Sequence, residues 1–409
     1  MNIVTIGNSA AAIGAVEAIR EENKDAFITI ISDEAEHTYG RPLISYLLCG
    51  KTDEERMRYR PADFYEKNNV RTLLGRRVQR IDAQKKQVVT EDGTPVAYDK
   101  LLIAAGSRPF VPPICGLDSV PYFTFMDKKS AKALGDACAK DKNVLILGAG
   151  LIGLKCAEGI ADRVAHITVC DLAPHILPSI LNEAGAKLVQ QHIERRNIDF
   201  VLGEATAEIR PGCAVTKSGR EIPFDLLVVA TGVRPNVELA REAGCAVDRG
   251  ILIDEHCKTS VEDIYAAGDC SQGEDILHHE RRILALMGNA NLQGGTAGRA
   301  MIGLPAAYPK SFAQNAIGFF GLHLVTAGCY DGQEIAVPTE SGMKILYVRD
   351  NHLVGFIIIG DVAKSGIYTA LIREQTPLDS IDFELICQKP QLMAFSRTDR
   401  AKKLSMPQE

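Results

Sequence analysis

The stretch Asn143–Asp171, NVLILGAGLIGLKCAEGIADRVAHITVCD, sets the organisation of the chain. An apolar strand leads into Gly148, Gly150 and Gly153, which follow the spacing G-x-G-x-x-G, and a helix is predicted from Leu154. The first glycine permits a tight turn, the second lets the backbone approach a pyrophosphate, and the third lets the helix pack closely on the strand. Free N–H groups at the helix N-terminus can then bind phosphate. The stretch therefore predicts a dinucleotide-binding unit.

The acid that closes this stretch indicates which nucleotide binds. A second strand, His166–Cys170, ends at Asp171, whose carboxylate can accept hydrogen bonds from an adenosine ribose 2′-OH. The following segment, Leu172–Pro174, contains no Arg or Lys that could bind a 2′-phosphate. NADH is therefore preferred over NADPH. The residues of this unit that are predicted to bind NAD are Gly148, Gly150, Leu151, Ile152, Gly153 and Asp171.

Composition limits the remaining possibilities. A chain of 409 residues with 46% hydrophobic and 24% charged residues is typical of a soluble globular protein with two or three domains. The net charge of −6 argues against a nucleic-acid surface, and the apolar runs are shorter than the ~18 residues that a membrane span needs. The chain passes from Met1 straight into a strand, and its 11 cysteines show no metal-type spacing. We expect a cytoplasmic protein without a bound metal.

The N-terminus contains a second nucleotide fingerprint. A strand, Asn2–Ile6, is followed by GNSAAA, in which Ser9 and Ala12 replace the second and third glycines, and then by a predicted helix, Ile13–Glu22. Small side chains keep the close approach to a phosphate possible. The next strand, Ala26–Ile31, runs into Ser-Asp-Glu, so the acid that holds the ribose is either Asp33 or Glu34.

An internal repeat relates the two nucleotide units. Tyr98–Pro109 reads YDKLLIAAGSRP, and Phe224–Pro235, which contains Gly232, reads FDLLVVATGVRP. Each is a strand that ends in a turn of small residues, and the repeat indicates two homologous halves that bind two nucleotides. A further segment, Asp263–Asp269, places an acid after a strand and a glycine turn, where it can reach the ribityl chain and pyrophosphate of a flavin. The first nucleotide is therefore predicted to be FAD.

With these motifs the chain resembles the pyridine nucleotide-disulfide oxidoreductase superfamily. Tyr39–Ser45, YGRPLIS, is similar to the Y-x-R-P-x-x-S segment of rubredoxin and ferredoxin reductases, and the likeness extends to the flavin domain of assimilatory nitrite reductases. The FAD-binding residues that the resemblance and the glycine turns imply are Gly7, Ser9, Ala11, Ala12, Asp33, Glu34, Arg41, Pro42, Val78, Ala105, Gly106, Arg108, Gly268 and Asp269; Gly232 is added to the NAD site.

The resemblance also implies the fold. It is an α/β fold with two Rossmann-like three-layer domains and a small α+β C-terminal domain. The helix that begins near Ala290 would point its positive N-terminus at the flavin. In the C-terminal part, two strands, Lys344–Arg349 and Leu353–Ile359, predict a hairpin that is followed by a helix, Val362–Arg373. The implied domains are residues 1–113 with 245–320 for FAD, 114–244 for NAD and 321–409 for the C-terminal domain.

Cys49 has two interpretations. Ser45–Gly50, SYLLCG, is similar to the S-F-x-x-C-G segment of NADH peroxidase, NADH oxidase and CoA-disulfide reductase, in which one cysteine cycles beside the flavin. Those peroxidases and oxidases also use a histidine in the first glycine turn, where this chain has Ala10. Cys49 is therefore either a catalytic redox thiol or a small buried thiol on an apolar helix.

Two groups of charged residues depart from the relatives or stand apart from the motifs. Relatives pair a Glu of the NAD-domain helix with a Lys after the serine; this chain has Lys155 and Tyr46 there, and Lys155 is a candidate catalytic residue. Arg56, Arg58 and Arg60 are either a docking patch for an acidic carrier or an ordinary solvated surface.

The resemblance implies a FAD-dependent NADH oxidoreductase that passes electrons to a small redox protein such as rubredoxin or ferredoxin. One alternative is a reductase of CoA disulfide or an NADH oxidase-type enzyme that depends on Cys49. Another alternative is a regulatory or assembly subunit that holds FAD and NADH without turnover. Either a monomer or a homodimer is compatible with the sequence.

Overall fold

The computed structural model describes residues 1–308 and 311–405. Two parallel sheets and one antiparallel sheet organise three domains, which we call the N-terminal, middle and C-terminal domains. This arrangement confirms the predicted fold class. Within the described residues, no helix is both long and apolar enough to cross a membrane.

The N-terminal domain is built first on a parallel sheet, in which β1 pairs with β2 and β7 and β2 pairs with β3. The short strands β4, β5 and β6 form a separate antiparallel sheet. The elements are β1 Asn2–Ile6, α1 Ala10–Glu22, β2 Phe27–Ser32, α2 Ile44–Leu48, α3 Phe64–Lys67, β3 Val70–Leu74, β4 Val78–Asp82, β5 Gln87–Thr90, β6 Pro95–Ala97, β7 Lys100–Ile103 and β8 Ser107–Pro109.

The middle domain repeats this plan with a four-stranded parallel sheet in the order β11-β10-β9-β15. Its last strand, β16, pairs with β8, so the two chain crossings between the N-terminal and middle domains lie side by side. The elements are α4 Lys128–Ala137, β9 Asn143–Leu147, α5 Leu151–Ile160, β10 His166–Asp171, α6 Glu183–Ile193, β11 Ile198–Leu202, β12 Thr206–Arg210, β13 Cys213–Thr216, β14 Glu221–Pro223, β15 Leu226–Val229, β16 Val233–Pro235 and α7 Glu238–Glu242.

The chain then returns to the N-terminal domain, where a new strand, β18, pairs with β7 and completes the sheet β18-β7-β1-β2-β3. A new helix, α8, packs on α1 at such short range that a Cβ atom at Gly294 would overlap the carbonyl oxygen of Ala11. The returning elements are β17 Ile251–Leu252, β18 Ile264–Ala266, β19 Ser271–Asp275, β20 Glu280–Arg282 and α8 Met287–Met301.

The C-terminal domain is an antiparallel sheet in the order β21-β22-β25-β24-β23, with the predicted hairpin and helix present as β24, β25 and α9. The sheet begins at Gln314, earlier than the predicted boundary after residue 320, because β21 pairs with β22 along its whole length. The elements are β21 Gln314–Phe319, β22 Leu322–Gly328, β23 Gln333–Val337, β24 Gly342–Arg349, β25 His352–Gly360, α9 Ser365–Glu374, α10 Phe383–Gln388 and α11 Arg397–Leu404.

The starts of α1 and α5 and the positions of the apolar cores determine where the site lies. Both nucleotide-domain helices begin three residues before their predicted starts, α1 at Ala10 and α5 at Leu151, because each helix follows its glycine turn immediately. Their N-terminal N–H groups therefore sit at the turns themselves. One apolar core runs through the middle and C-terminal domains, a second fills the N-terminal domain, and a third lies within the middle domain. The three domains meet around a cavity.

Candidate functional site

A cavity of about 1830 Å³ lies where the three domains meet. It exceeds the ~300–1,000 Å³ of an ordinary small-molecule site, so it has room for a dinucleotide and part of a second ligand. Of the residues predicted to bind FAD, all except Ala12 line this cavity. Ala12 is fully buried beneath the turn. The sequence-predicted set is therefore brought together in one place.

The first glycine turn forms one wall of the cavity. Gly7 has φ of 109°, and a Cβ atom there would overlap the carbonyl oxygen of Ala104, so this position requires glycine. Ser9 is the N-cap residue of α1 in an extended conformation, and its side chain caps no helix N–H. Both Ser9 and Ala11 line the cavity. The α1 N-terminus thus presents donors to a phosphate.

The two candidate acids for the FAD ribose have different surroundings. Glu34 is half-buried; it forms an ion pair with Arg41 and accepts a hydrogen bond from the Tyr39 hydroxyl at 2.7 Å. Asp33 is exposed at the cavity and has no hydrogen bond or ion pair with any described residue. Asp33 is therefore free to bind a ligand, whereas Glu34 holds Arg41 in place.

Asp269 projects into the cavity from the turn after β18. Burial raises the pKa of its carboxyl group, and the hydroxyl of Ser107, which donates to Oδ2 at 3.2 Å, opposes that rise. Hydroxyl groups of a bound ligand that donate hydrogen bonds to this carboxylate would stabilise its ionised form in the same way. Gln293 on α8 fixes the same turn, because its Oε1 accepts hydrogen bonds from the Gly268 N–H at 2.7 Å and from the Ser271 hydroxyl at 3.0 Å.

Sequence reasoning did not single out Gln293 as a functional residue. It lies on the helix that was predicted to begin near Ala290, so the sequence indicated the helix but not the hydrogen bonds that Gln293 makes to the turn after β18. Helix α8 begins at Met287, three residues before the predicted start near Ala290, and no side chain caps its N-terminus. Residues 285–290 line the cavity. Two uncapped helix N-termini and one buried carboxylate therefore face this space, which fits the phosphates and hydroxyls of FAD.

The second glycine turn lies on the middle-domain side. A Cβ atom at Gly153 would overlap the carbonyl oxygen of Gly148, whereas the space around Gly150 is open for a pyrophosphate. Asp171 accepts hydrogen bonds from the backbone N–H groups of Ala149 at 2.6 Å and Ala173 at 2.8 Å. Two of the residues predicted to bind NAD, Leu151 and Ile152 at the start of α5, line the cavity. The others do not: Gly148, Gly150, Gly153, Asp171 and Gly232.

Lys155 reaches the cavity one turn further along α5. Its ammonium group lies 4.3 Å from the centre of the Tyr46 ring and forms an ion pair with Glu158. Burial opposes ionisation of Glu158, but the Lys155 and Lys51 ammonium groups and the Phe320 N–H lower the pKa of the carboxyl group overall. The position at which the resemblance implies a Glu is therefore a paired cation here.

Cys49 and the basic run Arg56, Arg58 and Arg60 lie outside the cavity. Cys49 is half-buried just after α2, its Sγ lies 3.6 Å from the Tyr46 carbonyl oxygen, and it is not among the cavity-lining residues. The three arginines of the basic run are all paired: Arg56 with Asp53, Arg58 with Glu55 and Arg60 with Glu17. Arg108 lines the cavity rim and donates to Glu238 at 2.8 Å. In the described part of the chain, no cluster of three His, Cys, Asp or Glu side chains could hold a metal ion.

Comparison with known proteins identifies the family of the chain. The profile of the family described as pyridine nucleotide-disulphide oxidoreductase matches residues 1–294, which include both glycine turns. The chain belongs to this family. Its members are oxidoreductases, and FAD and a nicotinamide nucleotide are the cofactors of this pyridine nucleotide-disulphide oxidoreductase. The predicted family and cofactors are confirmed.

Curated relatives of this oxidoreductase include electron-transfer proteins. The chain is 29% identical over 91% of each chain to the NADH-dependent phenylglyoxylate dehydrogenase subunit epsilon of Aromatoleum evansii. It is 29% identical to the rubredoxin-NAD(+) reductase of Pseudomonas putida, over 87% of this chain and 94% of that one. It is 30% identical to the nitrite reductase [NAD(P)H] of Bacillus subtilis, over 92% of this chain but only 48% of that enzyme, so it spans about half its length.

A solved structure shares the fold over the whole chain. The covalent putidaredoxin reductase–putidaredoxin complex superposes with a TM-score of 0.88, covers 99% of both chains and is 21% identical in sequence. At that identity the likeness establishes the fold alone.

Proposed function

We propose that this chain is a FAD-dependent oxidoreductase that takes a hydride from NADH and passes electrons to a small redox protein of the rubredoxin or ferredoxin type. In this reaction NADH and two oxidised carriers give NAD⁺, one proton and two reduced carriers. FAD supplies the conversion between a two-electron donor and one-electron acceptors when it is bound. The observation that carries the proposal is that residues of both nucleotide domains line the same cavity.

The chain's own residues have separate tasks in this proposal. The N-termini of α1 and α8 stabilise phosphate and the electron-rich edge of the flavin through their free N–H groups. Asp33 holds the FAD ribose, and Asp269 holds the ribityl and pyrophosphate region. Leu151 and Ile152 contribute apolar surface to the cavity wall.

Preference for NADH is part of the proposal. Asp171 is the ribose-binding acid at the end of β10, and the exposed Leu172 follows it in the place where a cation would be needed for a 2′-phosphate. A carboxylate at this point repels the phosphate of NADPH. The negative charge of Asp171 therefore favours NADH over NADPH.

An electron carrier is favoured as the acceptor over a disulfide. No cysteine is among the residues that line the cavity in the described part of the chain, and Cys49 lies behind the Tyr46 backbone. Rubredoxin is named as the partner of one full-length relative, the Pseudomonas putida reductase. We expect the protein to act in the cytoplasm as a monomer or homodimer.

Anaerobic stopped-flow absorbance tests the proposal. NADH should bleach the flavin, and added oxidised rubredoxin or ferredoxin should restore its colour in repeated turnovers, whereas CoA disulfide should not. Failure of NADH to bleach the flavin would favour a subunit that binds both nucleotides without turnover. Reoxidation by CoA disulfide that Cys49→Ser abolishes would instead establish the thiol-dependent reductase.

A further inference from the structure

Helix α5 carries a buried charge pair at the cavity, Lys155 and Glu158, three residues apart. The Lys155 side chain is 13% exposed and that of Glu158 is 4% exposed. Lys155 lines the cavity, whereas Glu158 does not. The cation therefore stands at the cavity wall and the carboxylate stands behind it.

The position of the ammonium group is fixed from several sides. It lies 4.3 Å from the centre of the Tyr46 ring, which also lines the cavity, and it donates to the carbonyl oxygen of Gly318 at 3.3 Å. A cation over the face of an aromatic ring is attracted by the ring quadrupole, and partial burial strengthens that attraction. Lys155 is thus held in one place beside the cavity.

Glu158 joins all three domains at this point. It belongs to α5 of the middle domain and accepts a hydrogen bond from the Phe320 N–H of the C-terminal domain at 3.0 Å. Lys51 of the N-terminal domain lies 3.4 Å from the same carboxylate. The position of Lys155 therefore depends on how the middle domain is seated on its two neighbours.

Oxidation of NADH to NAD⁺ delivers a hydride, two electrons and one proton, to the bound flavin. The hydride carries one negative charge into the cavity, where the low-dielectric protein wall lets a nearby cation stabilise that charge more than it would in water. We propose that Lys155 is the cation that offsets this charge, and that Glu158 is the positioning residue that fixes its place and weakens its field. This inference rests on the proposed function, because it requires flavin reduction in this cavity.

Neutralising Lys155 and neutralising Glu158 should change the ease of flavin reduction in opposite directions. Lys155→Gln removes the cation and should make the flavin harder to reduce. Glu158→Gln removes the carboxylate that offsets the cation and should make the flavin easier to reduce, provided that Lys155 keeps its contact with Tyr46. A purely structural pair would not give shifts of opposite sign.

Equilibrium titration of the FAD-loaded protein against a reference dye under anaerobic conditions measures both effects. We expect the ratio of reduced to oxidised flavin at a fixed dye potential to fall about tenfold in Lys155→Gln and to rise severalfold in Glu158→Gln; tenfold is about 30 mV for a two-electron couple. Lys155→Arg should restore most of the ratio. Lys51→Gln is the matched control, because Lys51 contacts the same carboxylate, is 56% exposed and is not a cavity-lining residue; its effect should stay below about twofold.

Shifts in the same direction for Lys155→Gln and Glu158→Gln would overturn the proposal, and so would an equally large effect of Lys51→Gln, which would indicate net charge alone. Thermal unfolding of the FAD-free variants distinguishes a loss of stability from a change in flavin reduction. A loss of stability would lower the melting temperature without changing the dye equilibrium. The titration contains no redox protein, so a failure to reduce rubredoxin would refute the proposed acceptor and leave this measurement unaffected.

Discussion

The carboxylate of Asp171 accepts a hydrogen bond from the backbone N–H of Ala149, 2.6 Å away inside the second glycine turn. The residue that is proposed to choose the nucleotide therefore also holds the turn that binds its pyrophosphate. Removal of the side chain would change both properties, so a test of cofactor choice needs a control that preserves the turn.

NADH should reduce the flavin roughly 10- to 100-fold faster than NADPH at equal subsaturating concentration, as expected for about 1.5–3 kcal/mol from hydrogen bonds to a charged group. Asp171→Ala combined with Leu172→Arg should narrow this gap. Asp171→Asn removes the charge but keeps an acceptor for one of the two turn amides, so it should loosen the turn less than Asp171→Ala does. Stopped-flow flavin reduction measures the rates, and equal rates with both nucleotides in the unaltered protein would refute the assignment.

Asp33→Asn should weaken FAD binding by roughly 10- to 100-fold, because Asp33 is the one of the two candidate ribose acids that has no partner among the described residues, and a charged hydrogen bond contributes about 1.5–3 kcal/mol. Glu34→Gln should act mainly by releasing Arg41. Titration of the FAD-free protein with FAD, followed by fluorescence quenching, gives both affinities. Unchanged affinity in Asp33→Asn would transfer the ribose contact to Glu34.

Asp269→Ala should yield protein depleted of FAD. Asp269→Asn should show how much the buried charge of Asp269 lowers the free energy of unfolding of the FAD-free protein. Since burial raises the pKa of Asp269 above its ordinary value of 3.8, ionisation destabilises the folded state; this cost is absent below pH 3.8, grows as the pH rises toward the raised pKa and is complete above it. Asp269→Asn should therefore stabilise the FAD-free protein at pH 7, with an advantage that shrinks toward pH 4. Urea unfolding across this range measures the difference; a difference independent of pH would contradict the assignment.

Gly294→Ala should destabilise the protein by about 1–3 kcal/mol, because the added Cβ atom would overlap the Ala11 carbonyl oxygen and force α1 and α8 apart. The neighbouring Gly295 provides a matched control on the same helix, since its nearest neighbour would be 3.8 Å from an added Cβ atom. Gly295→Ala should be neutral or stabilising by up to about 1 kcal/mol. Denaturant unfolding tests the pair, and equal effects of the two variants would mean that the close contact does not limit stability.

Cys49→Ala should be nearly silent toward a rubredoxin-type acceptor, because the thiol is not part of the cavity wall. One equivalent of NADH per flavin should complete the reduction, whereas a redox-active thiol would consume more. Anaerobic NADH titration followed at the flavin absorbance counts the equivalents. A loss of more than about tenfold in carrier reduction, roughly 1.4 kcal/mol, would restore Cys49 as a functional thiol.

The sequence by itself determined the two nucleotide folds, and all but one of the residues that it predicted to bind FAD lie in the cavity wall. Glycine turns, strand patterns and terminal acids are local features, because the backbone of a G-x-G-x-x-G turn allows few side chains. That is why Gly7, Gly148 and Asp171 could be named from their spacing. The helix starts were placed three residues late because the small residues after each turn were assigned to the turn, although they already form the first helical turn.

Only the tertiary structure decided how these local units act together. The proposed choice of Asp33 over Glu34 rests on Arg41 and Tyr39, which follow β2 and contact Glu34. Spacing in the sequence likewise could not show that Glu158 would be shared by α5, the N-terminal domain and the β21–β22 turn. Pairing of buried charges depends on contacts between residues far apart in the chain, and such contacts form only when the three domains pack against one another.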